Sequence, residues 1–113
     1  MVVKEITMFR LSQDADINGT HLQGHVMASP AALIEKFGQP QECDGYKVSG
    51  EYAFENDAGD VFTLYDWKCT NLYDSDAGVT PSDFWRQTCQ RQFNIGGHTN
   101  AFDFIDWLKK QVS

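Results

Sequence analysis

His21 and His25 stand four residues apart in the chain. On a strand, positions 21, 23 and 25 share one face, where two imidazoles could hold a metal ion. No nearby Cys or carboxylate completes a ligand set with the usual spacing, so ordinary surface histidines are expected. Cys43, Cys69, Cys89 and His98 have the composition of a three-Cys, one-His zinc site. Structural zinc draws its ligands from close pairs, and these four residues are widely separated, so small buried thiols are expected instead. A Cys nucleophile needs a His base and an electropositive setting, and no residue flanking Cys43, Cys69 or Cys89 points to one. Glu51 and Asp66, with Lys47 and Lys68 nearby, are the acids and bases of the central hairpin. Such groups can transfer protons, but on a sheet they are more often solvated or paired. The expectation is a protein with no metal, no cofactor and no catalytic residue.

Two other features suit binding. The run Ile95-Gly96-Gly97-His98-Thr99-Asn100 passes from a strand through two glycines into a helix start. Free backbone N–H groups at such a junction can receive a phosphate or a carboxylate. Against this, Asp103 already answers the helix dipole, and Gly-Gly is an ordinary way to end a strand. Tyr65, Trp67, Tyr73 and Trp85 form either an exposed aromatic surface of the kind enriched at interfaces or a second small core under the last helix. The candidate ligand- or partner-binding residues are therefore Lys47, Glu51, Tyr65, Asp66, Trp67, Lys68, Gly96, Gly97 and His98.

The elements that must position these residues follow from pattern. Residues 2–11 read as a first strand and His21–Ala28 as a second, paired with it as a hairpin across the turn-rich SQDADINGT. Ser29-Pro30 is a helix start, Ala31, Ala32, Leu33, Ile34 and Phe37 give an apolar face, and Gly38 and Pro40 end it, so a helix is predicted over 30–37. From Tyr46 to Lys68 the chain reads as an antiparallel hairpin. Tyr46, Val48, Tyr52 and Phe54 alternate with polar residues, and Asn56-Asp57-Ala58-Gly59 turns the chain into VFTLYDWK. The register that stacks apolar on apolar sets Phe54 opposite Phe62, Tyr52 opposite Leu64, Glu51 opposite Tyr65 and Gly50 opposite Asp66. Its other face carries Val61, Thr63, Tyr65 and Trp67 and needs a cover. Residues 69–81 read as a loop, Thr80-Pro81 as the start of a helical turn, Gln90–Ile95 as a last strand broken by Gly96-Gly97, and 100–111 as a helix capped by Thr99 or Asn100. The fold expected over 1–113 is a single α+β domain, an antiparallel sheet of about five strands packed by helices 30–37 and 100–111.

Composition narrows the function class. A chain of 113 residues with eight Phe, four Tyr and three Trp can bury one real core. No apolar run approaches the ~20 residues that span a bilayer, and the N-terminus lacks the features of a secretory signal, so neither a membrane nor an exported location is expected. The odd, widely spaced cysteines suit a reducing cytosol. Sixteen acids against nine bases give a net charge of −7, which repels phosphate backbones and disfavours direct nucleic-acid binding while suiting a basic partner.

The segments Asp44-Gly45-Tyr46-Lys47, Glu51-Tyr52-Ala53-Phe54, Gly59-Asp60-Val61-Phe62-Thr63-Leu64-Tyr65-Asp66-Trp67-Lys68 and Phe93-Asn94-Ile95-Gly96-Gly97 carry a resemblance. Together they resemble small proteins of tailed phages and large DNA viruses that share a GYK turn, an IYDWK-like strand and a terminal IGG. The resemblance covers about residues 37–108. The chain departs from the pattern at Tyr52 and Phe93, where Trp is frequent, and at Leu64, where Ile is usual. The resemblance implies a viral origin and an accessory role in the cytoplasm of the infected host cell, and it carries over no catalytic residue. On that footing the expected function is binding and inhibition of a bacterial antiviral defence component, in the manner of an anti-CRISPR protein. The alternatives are a sponge for a nucleotide second messenger, held at Gly96-Gly97 with Lys47 or Lys68 on its phosphates, and a small nucleotide hydrolase. A homodimer is also expected if an apolar strand lies near a sheet edge.

Overall fold

The computed structural model describes residues 9–12, 15, 17, 19–41, 48–67, 70 and 79–112. In chain order the elements are β1 (Phe9–Leu11), β2 (His21–Ala28), α1 (Pro30–Phe37), β3 (Glu51–Asn56), β4 (Val61–Tyr65), α2 (Pro81–Trp85), β5 (Arg91–Gly97) and α3 (Phe102–Val112). The strands make one antiparallel sheet in the order β1-β3-β4-β5-β2.

Local chemistry explains several boundaries. The Ser29 hydroxyl accepts the Ala32 N–H at 3.2 Å, Pro30 fits the first turn of α1, and Gly38 ends it at φ +85° with its N–H donated to the Ile34 carbonyl. Between β3 and β4, Asn56 Oδ1 accepts the N–H groups of Ala58 and Asp60 at 3.0 and 2.9 Å, and Gly59 takes φ +83°. The hairpin register is the expected one, with Phe54 opposite Phe62, Tyr52 opposite Leu64 and Glu51 opposite Tyr65. Thr80 caps α2 by accepting the Asp83 N–H, and Asn100 Oδ1 accepts the Phe102 N–H at the start of α3.

The described helices pack on one face of the sheet. Phe104 of α3 stacks on Phe62 with centroids 5.0 Å apart and lies 5.1 Å from Phe54 and 5.4 Å from Phe9. Trp85 of α2 sits 6.0 Å from Tyr52 and 5.6 Å from Phe93, and Phe37 of α1 bridges Tyr52 and Phe54. Leu33, Leu64, Ile95 and Leu108 fill the spaces between these rings and are fully buried. Among the described residues no helix is long and apolar enough to cross a membrane.

Several expectations are corrected. β1 and β2 are not a hairpin. β1 pairs with β3 and β2 with β5, at opposite edges of the sheet. Packing overrides proximity in sequence: Phe9 joins the ring cluster of Phe62, Phe104 and Trp107, whereas Val26 pairs with Phe93 at the other end of the core. Residues 2–8 of the predicted first strand lie outside the described residues. The central hairpin is shorter than expected. Val48–Gly50 is off the ladder and β4 ends at Tyr65, because Asp66 turns inward, while Tyr46, Lys47 and Lys68 lie outside the described residues. Gly96 and Gly97 do not break β5 but complete it, paired on both sides with β4 and β2. Phe102, expected on the apolar face of the last helix, is 75% exposed at its first turn. The helical turn expected from Thr80-Pro81 is present as α2, five residues capped by Thr80 and ending at Arg86, and counts as a short third helix.

Candidate functional site

Side chains alternate across the sheet, so the helix-free face is defined by register. Glu51 pairs with Tyr65, Tyr65 with Asn94, and Asn94 with His25, which makes one row across four strands. Glu51, Tyr65 and Asn94 are half-buried and His25 is exposed. Trp67, just past the end of β4, packs edge-on to Tyr65 with centroids 6.2 Å apart and is 42% exposed. The next row, Ala53, Thr63 and Gly96, is buried. The last helix does not supply that cover, since α3 lies on the opposite face. Thr20, at the end of the connection between β1 and β2, stands over this face, with its hydroxyl 3.8 Å from the point where a Cβ of Gly96 would lie.

Asp66 belongs to the other face and is not a surface acid. It is fully buried, and its carboxylate accepts the Ser49 N–H at 2.8 Å, the Ser49 hydroxyl at 2.8 Å and the Gly50 N–H at 3.0 Å. The Ser49 oxygen in turn accepts the Trp85 indole N–H at 3.0 Å. The carboxylate thus replaces the strand ladder for two residues that have left it. Burial pushes the Asp66 carboxyl above its usual range, against the opposing pull of these hydrogen bonds. Trp85 is therefore core, not part of an exposed aromatic surface, and Tyr73 lies outside the described residues. Beside this cluster is a cleft of about 380 Å³ between α1 and α2, lined by Ile34, Gln39, Pro40, Ser49, Pro81, Ser82, Trp85 and Arg86.

Gly96 and Gly97 have a structural role. A Cβ on Gly96 would meet the Thr63 hydroxyl at 2.5 Å, and one on Gly97 would meet the Phe62 ring at 2.9 Å. Both are buried within β5, so the glycines do not form an open anion-binding turn; His98, which follows, is exposed and donates its N–H to the Val61 carbonyl. The two-histidine reading also fails. The β-bulge between Leu22 and Gly24 shifts the register, so His21 pairs with Gly97 and His25 with Asn94, on opposite faces. Among the described residues no group of three or more His, Cys, Asp or Glu could hold a metal. Cys89 is exposed, contrary to the buried thiol expected; Cys43 and Cys69, like Lys47 and Lys68, lie outside the described residues.

Of the predicted site residues, the structure thus brings Glu51, Tyr65 and Trp67 together on one face, buries Gly96 in the adjoining row of that face, and sets Asp66 and Gly97 on the opposite face and His98 past the end of β5. Asn94 and His25 join the row without having been singled out for it. Their signal is the alternation of Asn94 with Phe93 and Ile95, and of His25 with Val26, but only the pairing of β2 with β5 makes it legible. No protein-family model matches the chain, and no curated protein matches it.

Proposed function

We propose that this chain is a phage accessory protein that acts by binding and inhibits a component of bacterial antiviral defence in the cytoplasm of the infected cell. The observation that carries this reading is Trp67, exposed beside Tyr65 on the sheet face opposite the helices. Aromatic residues of this kind anchor protein interfaces. The net charge of −7 favours a basic surface on the partner. The likeness of its motifs to those of phage and viral proteins supplies the setting. The test is affinity capture from phage-infected bacteria with the tagged chain and its Trp67→Ser variant. The wild type retains a host defence protein, and the variant, with an unchanged circular-dichroism spectrum, retains at least ~10-fold less, as loss of one anchor residue implies. Equal capture by both would place the binding surface elsewhere.

The cleft beside Ser49 supports a second reading, sequestration of a nucleotide second messenger. Its volume falls in the range of small-molecule sites, and Arg86 and Ser82 stand at its wall. A nucleotide at ~100 times its Kd would add about 2.7 kcal/mol of stability and raise the melting temperature. No shift with any cyclic or ADP-ribose nucleotide removes this reading, and turnover in the same assay would make the chain a hydrolase.

A further inference from the structure

The cleft between α1 and α2 has a cationic wall in an acidic chain. Among the described residues no carboxylate lines it, although the chain has 16 acids, and Arg86 is its one formal charge. Its own helix holds the guanidinium in place. Nε donates to the Ser82 carbonyl at 3.3 Å and Nη2 to the Ser82 hydroxyl at 2.9 Å. Among the described residues nothing accepts from Nη1, and the Ser82 hydroxyl, which accepts from Arg86, keeps its own proton to donate. Asp83 lies 3.5 Å from Nη2, but both side chains are well exposed, so that pair adds little. Ser49 has the opposite polarity. Its Oγ gives its proton to Asp66 at 2.8 Å and accepts the Trp85 indole N–H at 3.0 Å, which leaves one acceptor lone pair and no donor. Pro40 and Trp85 close on Gly50 so tightly that a Cβ there would lie 2.7 and 2.8 Å from them, so these walls are preformed. The cleft offers donors for one anion, an acceptor for one N–H, and apolar surface from Ile34, Pro40 and Pro81.

We propose that this cleft takes a cyclic mononucleotide, with its phosphodiester on Arg86 Nη1 and the Ser82 hydroxyl and its base against Pro40 and Pro81, donating an N–H to Ser49 Oγ. This ligand class rests on the sequestration reading above and narrows it. Charge selects the class. A cyclic mononucleotide carries one negative charge, whereas ADP-ribose and cyclic dinucleotides carry two. A second phosphate would meet a chain of net charge −7 with no second cation on the wall. A guanidinium hydrogen bond to a phosphate is charge-assisted and strong, so one suffices to fix one phosphodiester. Size agrees. About 380 Å³ lies near the small end of the range for ligand sites, which suits one base and one ribose. The hydrogen-bond pattern agrees as well. Adenine and cytosine each carry an exocyclic amino group, the donor that the spare lone pair of Ser49 needs. Because Asp66 and Trp85 fix Ser49, and Ser82 fixes Arg86, little side-chain order remains to be imposed on binding.

The test is isothermal titration calorimetry of the purified full chain with cyclic AMP, cyclic CMP, their nucleosides, ADP-ribose and cyclic di-AMP. At least one cyclic mononucleotide binds at least tenfold tighter than its nucleoside, ADP-ribose or cyclic di-AMP. Arg86→Gln, a change at an exposed position that leaves the melting temperature in place, weakens that ligand at least tenfold, as loss of a hydrogen bond to a charged group implies. Lys109→Gln removes the same charge on α3 and leaves the affinity unchanged. If ADP-ribose or cyclic di-AMP binds as tightly as the cyclic mononucleotides or more so, the ligand class falls while the sequestration reading stands. If no nucleotide binds, both fall. A nucleoside that binds equally well, or an affinity that Arg86→Gln leaves unchanged or that Lys109→Gln lowers as much, overturns the assignment of the phosphate to Arg86 and with it the proposal.

Discussion

Removing the Asp66 carboxylate should cost more than any surface change in this protein. Asp66→Ala leaves the N–H groups of Ser49 and Gly50 and the Ser49 hydroxyl without their acceptor, and Gly50 is itself buried. A buried donor left unpaired costs about 1–3 kcal/mol, so the Gly50 amide alone brings the loss to about that range, and the half-buried Ser49 groups add to it. For a domain near this size, ~1 kcal/mol lowers Tm by about 4–8 °C, so the variant should melt at least ~4 °C lower. Asp66→Asn keeps an acceptor for the amides and should cost less. The pair also separates charge from shape. Because burial raises the folded pKa of Asp66 above its unfolded value, the folded chain binds this proton more tightly. Its stabilising contribution is complete below the unfolded pKa, ~3.9, and is lost as pH rises through the folded pKa. Asn does not titrate, so the stability of wild type relative to Asp66→Asn should fall as pH rises across that window. The assay is urea unfolding followed by Trp fluorescence and circular dichroism at a series of pH values. An Asp66→Ala chain within ~0.5 kcal/mol of wild type would refute the carboxylate's structural role, that being the scatter of ordinary surface changes. A stability of wild type relative to Asp66→Asn that rises with pH would refute the sign of the shift.

Gly96→Ala should destabilise by about 1–3 kcal/mol, because its Cβ would lie 2.5 Å from the Thr63 hydroxyl in a packed strand pair. Adding Thr63→Ala should recover part of that loss, seen as a non-additive double-mutant cycle. Gly59→Ala should cost about 1–2 kcal/mol through backbone strain at φ +83°, since nothing lies within 4 Å of its Cβ position. Gly59→Asn should cost less by the same denaturation assay, because Asn tolerates this region better.

The hairpin register was readable because Tyr52 and Phe54 alternate with polar residues, the return strand offers Phe62 and Leu64 at the matching spacing, and the turn names itself. Shifting Tyr52 and Phe54 by one residue against Phe62 and Leu64 would turn apolar side chains to the wrong face. The first helix was readable for an equally local reason, the hydroxyl of Ser29 before Pro30 and the freedom of Gly38 at its end. What resisted reading depends on neighbours distant in the chain. The polar run after Leu11 looks like a hairpin turn, yet β1 and β2 are drawn to opposite edges by separate parts of the core. Gly96-Gly97 looks like a strand breaker until Thr63 and Phe62 are known to occupy the space of its missing side chains. The same holds at the site. Trp67 could be singled out by type, but the row linking Tyr65 to Asn94 and His25 needs a strand pairing and a bulge that no local pattern announces.

Asp66 and Trp67 are adjacent, and their opposite environments are linked. The backbone at the end of β4 is anchored from the core side, where Ser49 and Gly50 hold the Asp66 carboxylate and Trp85 holds Ser49. With residue 66 turned inward, residue 67 is turned outward, beside Tyr65, two positions back on the same face. A short flexible end of strand would let the indole collapse onto the sheet or wander, at a loss of rotamer and backbone entropy on binding. The buried carboxylate removes that freedom in advance. Asp66 is thus a positioning residue for the candidate interface, although it cannot touch a partner. Changing it should weaken both fold and capture, whereas changing Trp67 should weaken capture alone. That difference distinguishes the anchor of a binding surface from an aromatic residue exposed by accident.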